Sequence, residues 1–117
     1  MITFISPTKN MKPITKDYPM TLPAFAPEAE ELLEILQEYN DDDIMTIMKV
    51  NAKLAVQNQT RFREIRFDLR GYPALFAYVG LAFQSMHLHT WDHPSVMFAQ
   101  DHLRILSGFY GVNRPLD

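Results

Sequence analysis

The sequence contains no cysteine, which excludes disulfides and thiolate-held metals and suits a reducing cytoplasm. It has only four glycines against eight prolines, a balance that favours fixed turns over flexible linkers. No apolar run approaches the roughly 20 residues that cross a bilayer. There is also no basic segment leading into a short apolar one, so the chain carries no signal-peptide pattern. The expectation is a cytoplasmic protein with no membrane partner. Basic charge is scarce as well: the net charge of −3 argues, taken alone, against a nucleic-acid partner.

What is present is more informative. A chain of 117 residues that is 47% hydrophobic can build one domain with a modest core. Its charge is unevenly distributed. Residues 28–43 hold eight acids and no Lys or Arg, whereas residues 44–70 hold six bases against Glu64 and Asp68. Such a polarised surface can steer an anion, and it equally suits two solvated helix faces that complement each other.

Ile2-Thr3-Phe4-Ile5 alternates and is rich in strand formers, so it predicts a strand closed by Ser6-Pro7. The polar residues Thr8 to Lys12 follow as a loop, and loops at strand ends often carry function. Residues 13–27 contain four prolines and predict an extended connection. Glu28 to Tyr39 predicts a helix with Ala29, Leu32, Leu33, Leu36 and Tyr39 on one face, and Asn40 as a left-handed C-terminal residue. Asp41-Asp42-Asp43 then predicts the N-cap of a short helix with Ile44, Ile47 and Met48 inward, and lacks the spacing of a calcium loop.

A tight turn at Lys49-Val50-Asn51 leads to a third helix over about 52–65, with Leu54, Ala55, Phe62 and Ile65 toward the first. Residues 42–65 thus look like a helix-hairpin-helix, in which backbone N–H groups at a helix start meet a DNA phosphate. Lys49, Asn51, Lys53 and Arg61 are the candidate contacts. The hairpin has Val50 and Asn51 where well-matched modules have glycines, and an ordinary helical pair fits the same pattern.

Ala74 to Val79 is an apolar run of strand length that Gly80 ends, and Leu81 to Met86 can open a helix. His87, His89 and His93 fall among polar residues in a predicted loop, and neither they nor any other cluster makes a metal or cofactor signature. A helix from Pro94 follows, with Val96, Phe98, Ala99, His102 and Leu103 on its apolar side and His102 expected in the core. Ile105 to Val112 is a strand-like apolar run whose two glycines imply close backbone approach or unusual dihedrals.

Phe98-Ala99-Gln100-Asp101-His102-Leu103-Arg104-Ile105-Leu106-Ser107-Gly108-Phe109-Tyr110-Gly111-Val112-Asn113-Arg114-Pro115-Leu116-Asp117 resembles the signature of the YaaA family of bacterial peroxide-stress proteins. Ile5-Ser6-Pro7-Thr8-Lys9 is similar to a second family segment, with Thr8 in place of alanine. Gly80 also matches, while Phe83 stands at a family tyrosine and Asn113 at a family leucine, which implies that position 113 tolerates exposure. The family pattern continues beyond this stretch, so the resemblance implies a single α+β domain over 1–117, the front part of a longer YaaA-like fold. It would hold an N-terminal strand, the helix-hairpin-helix and a small mixed sheet.

The resemblance further implies binding to duplex or distorted DNA and protection from peroxide by limiting free iron. It singles out Ser6, Lys9, Arg104, Ser107, Arg114 and Asp117 as an anion site or pocket, besides Lys49 and Lys53. Two alternatives stand beside it: a binder of, or enzyme acting on, a small anionic ligand through that pocket, and an inactive structural fragment. No nucleophile–base pair or phosphate loop attaches a reaction to the enzyme reading. A sheet lacking later strands is expected to leave an edge and apolar surface bare and to self-associate.

Overall fold

A computed structural model describes residues 1–67 and 71–117. The chain folds as two compact units, one made of residues 1–26 and 71–117 and the other of residues 27–70. Asp68 and Arg70, part of the basic segment's balance, lie outside the described residues.

The first unit is built on a mixed sheet. Strand β1 (Thr3–Ile5) lies parallel to β2 (Leu103–Ser107), and β2 pairs antiparallel with β3 (Gly111–Asn113) in the order β1-β2-β3. The apolar run after Arg104 is therefore a hairpin rather than one strand. Gly111, at φ +76°, explains the fold-back: a side chain there would be strained, and its Cβ would also sit 2.8 Å from the Phe25 ring. Gly108, by contrast, has open space around it.

Register divides the sheet's faces. Phe4 aligns with Arg104 and Leu106 with Val112 on one face, whereas Ile5, Ile105 and Asn113 share the other. On that second face Ile105 is fully buried in a cluster with Leu75, Phe76, Tyr78, Phe83, Val96 and Leu116. Burial of each large aliphatic side chain contributes about 1.5–3 kcal/mol. Asn113 is buried too, contrary to the exposure inferred from its replacement of leucine, because it lies on the core-facing side of β3.

Ala74–Ala77 forms α4, a single helical turn, rather than the expected strand. Pro73 opens it, and all four residues are buried, so a short apolar run had no alternation to report its period. Only Tyr78 keeps strand character, in an isolated bridge to Met11. Helix α5 (Leu81–Ser85) follows as expected, then a 3₁₀ turn at Leu88–Thr90, braced by the Trp91 indole N–H donating to the Met86 carbonyl at 3.0 Å. Helix α6 (His93–His102) is capped by Asp92, whose carboxylate accepts from the Ser95 N–H. A hydrogen bond from the Ser95 side chain, and after it this N–H bond, hold the Asp92 carboxyl below its usual pKa. Phe98 and His102 are not core residues: Phe98 is 65% exposed, and His102 stacks on it while bonding the Phe98 carbonyl.

The second unit is helical, with α1 (Ala26–Gln37), α2 (Asp41–Met48) and α3 (Ala52–Glu64). Ala29, Leu33, Ile44, Ala55 and Phe62 form its buried set, but Ile47 is 56% exposed rather than inward. Asn40 is not left-handed; it is the N-cap of α2, in extended conformation, and exchanges hydrogen bonds with Asp43 in a capping box. The three aspartates occupy the first turn of α2, where negative charge complements the helix dipole. Gln37 and Gln59 tie the unit further, donating to the carbonyls of Phe62 and Tyr39.

Candidate functional site

The α2–α3 connection is the feature best suited to an anion. Lys49 ends α2 with φ 53° and ψ 52°, and its N–H donates to the Met45 carbonyl. The left-handed residue of the turn is therefore Lys49, and the β-branched Val50 that fits such geometry poorly is spared it. Asn51, extended at φ −75° and ψ 170°, caps α3 by accepting from the Leu54 N–H at 2.9 Å. With that donor satisfied, the N–H groups of Ala52 and Lys53 in the first turn of α3 have no intrahelical acceptor. Lys49, Asn51 and Lys53 are exposed around this helix start, and Arg61 is half-buried two turns further along. Partial positive charge from the dipole and two lysines thus converge on one turn.

In the other unit, the candidate anion residues fall into separate settings. Ser6 and Lys9 are exposed beyond the end of β1, and Ser107 closes the parallel strand β2. Ser107 Oγ accepts the N–H groups of Phe109 and Tyr110 at 3.2 and 3.0 Å and also contacts the Tyr78 hydroxyl. Burial pushes the Tyr78 phenol up despite that bond. Tyr110 is pushed up to about 12 by burial and by the neighbouring Tyr78. Both phenols are thereby held in their neutral form.

Thr8 links the two segments. Its hydroxyl donates to the Asn10 carbonyl and accepts from the Val79 N–H, so its methyl group is pinned 2.6 Å from where a Cβ on Gly80 would stand. Glycine at 80 is thus matched to threonine at 8.

Arg104 turns back on α6. Its guanidinium donates to the carbonyls of Gln100 and Leu103 at 2.9 and 2.7 Å, satisfying the end of the helix. Arg114 and Asp117 pair with each other at 3.0 Å, and the Asp117 carboxylate also accepts from the Arg114 N–H and from the Thr21 hydroxyl. Gln100 completes this net by donating to Thr21 and accepting from the Leu116 N–H. The chain from Pro115 to Asp117 then receives the N–H groups of Leu75 and Ala74.

This arrangement gives the Arg-Pro-Leu-Asp segment a definite job, anchoring α4 and the connection through Thr21. Comparison with known proteins gives the same segment a lineage, since residues 1–117 match the family model described as Peroxide stress protein YaaA. The chain belongs to the YaaA family. It is similar to UPF0246 proteins of Clostridioides difficile strain 630, at 38% identity, and Bacteroides fragilis strain YCH46, at 36%. A UPF0246 protein of Rickettsia rickettsii strain Iowa is 37% identical. Each match covers all of this chain but only 47–48% of the relative, so the chain spans about half the length of these YaaA-family relatives.

Tyr78, Tyr110, Thr21 and Gln100 were not among the residues that sequence singled out, and Thr8 was marked only as a replacement for alanine. Tyr110 lies inside the family signature, but nothing in spacing distinguishes a buried phenol from a core aromatic. Thr21 sits in the proline-rich connection, and its partner is 96 positions away.

Proposed function

We propose that this chain is the DNA-contacting portion of a YaaA-type peroxide-stress protein, with the α2–α3 hairpin as the contact. The observation that carries the reading is the turn itself: left-handed Lys49, Asn51 capping α3, and two first-turn N–H groups beside exposed lysines. A DNA phosphate satisfies those donors and meets the positive end of the dipole without reading any base. The protective logic rests on the family. Ferrous iron reduces peroxide to hydroxyl radical, so a protein of this family that keeps free iron low near DNA limits strand damage.

The test is a salt series of binding to labelled duplex and bubble DNA, comparing the parent with Lys49→Gly and Lys53→Ala combined. Glycine is the right substitution at 49, because it removes the charge while suiting the left-handed backbone. Affinity is expected to fall at least about fivefold at low salt, with a log–log salt slope shallower by about one to two. An unchanged slope in a folded double variant removes the hairpin from the interface.

A further inference from the structure

We infer that a trough in the unit of residues 1–26 and 71–117 binds a small organic phosphate, its anion held by lysines and histidines and its flat body by an aromatic floor. The trough has a volume of about 590 Å³, within the range of small-molecule sites. One wall is the segment after β1, which presents Lys12 and Lys16. The turn after α5 contributes His87 and His89 to the same lining, together with Phe76, Tyr78 and Phe83. No carboxylate lines it among the described residues. In a chain of net charge −3, a concavity whose lining holds two lysines and no carboxylate among the described residues focuses a field that attracts anions.

Two features show that these groups are placed rather than loose. The Lys16 ammonium lies 5.2 Å from the centre of the Tyr18 ring, and Tyr18 in turn stacks on Phe76 at 4.1 Å and 12°. This cation–π contact positions a long side chain at the trough's edge before any ligand arrives. His87 is the second. It adopts φ 49° and ψ 50°, a conformation for which glycine is the cheaper residue, and Thr90 holds it by donating twice to its carbonyl. A histidine kept where backbone geometry favours glycine is accounted for by its imidazole bordering the trough.

The ligand class follows from the donors. Two ammonium groups and two imidazoles lining one trough suit a tetrahedral anion with several oxygens better than they do a planar carboxylate. The aromatic floor suits a flat apolar body. No residue of the trough lies in the 27–70 unit, so the proposal does not depend on the hairpin.

The experiment is calorimetric titration of the 117-residue chain with AMP, adenosine and inorganic phosphate as separate probes. AMP is expected to bind saturably and at least about tenfold more tightly than either of its parts, and less tightly as salt rises. Lys12→Ala with Lys16→Ala should weaken AMP by at least about tenfold; both side chains are exposed, so the variant keeps its fold. His87→Gly should weaken AMP while leaving the melting temperature unchanged or higher, which separates a ligand role from a structural one. The proposal is overturned by an absence of saturable AMP binding, by adenosine or phosphate binding as well as AMP, or by unaltered AMP affinity in both variants.

Discussion

Ser107 accepts two backbone N–H groups on one hydroxyl and still contacts Tyr78, so this side chain organises both the β2–β3 turn and the phenol pair beside it. The pair sets a pH response. The Tyr110 phenol is pushed up from its ordinary 10.0 to about 12 because burial and the nearby Tyr78 both oppose its ionised form. A phenol whose pKa is higher folded than unfolded lends stability that is complete below pH 10 and is lost as pH climbs through 10 toward about 12. Urea midpoints measured across that window should fall more steeply for the parent than for Tyr110→Phe, which has no proton to lose. Parallel curves would show that Tyr110 ionises equally well in both states. At this scale the sequence was least legible: it gave the identity of Tyr110 but not its depth. It likewise flagged Val50 as the difficulty in the hairpin, while the backbone placed the left-handed residue one position earlier, at Lys49.

Elements were legible wherever a period or a cap was written into them. Alternation marked β1, the acidic first turn and leucine stripe marked α1, and the apolar steps of Leu54, Ala55, Phe62 and Ile65 marked α3, whose Asn51 cap was not read from the sequence. Two apolar runs defeated that approach, because a fully buried segment shows neither the period of a helix nor that of a strand. Ala74–Ala77 became a helical turn tied to the C-terminal residues, and the run after Arg104 folded into a hairpin at Gly111. Strand β3 also carries a polar misfit. Asn113 is 3% exposed, and its side-chain oxygen has no hydrogen-bond partner. An unsatisfied buried carbonyl costs about 1–3 kcal/mol, whereas leucine, which the family pattern places here, adds apolar burial instead. Asn113→Leu is therefore expected to stabilise the protein by about 1 kcal/mol or more in chemical denaturation. A destabilised variant would mean that the space around position 113 fits an amide and not a branched side chain.

For the molecule as a whole, the sheet face away from the core raises the question of what covers it. Ile2, Phe4 and Leu106 are 46%, 57% and 45% exposed, and Phe4 and Leu106 lie on the face opposite the core. The outer strands β1 and β3 contain no lysine, proline or other charged residue to discourage further pairing. The chain spans about half the length of its UPF0246 relatives, and an exposed apolar face of this kind favours a partner. Alone, the 117-residue chain is expected to cover that face with a second copy. Sedimentation equilibrium should show weight-average mass rising with concentration, and Phe4→Lys with Leu106→Lys should return it to that of one chain. Both positions face away from the core, so the double variant should lose little stability, within about 1 kcal/mol. A strict monomer at every concentration would show that the exposed face is tolerated in water. In that case, adding the remaining polypeptide of a relative in trans becomes the direct way to ask whether the face is a docking surface at all.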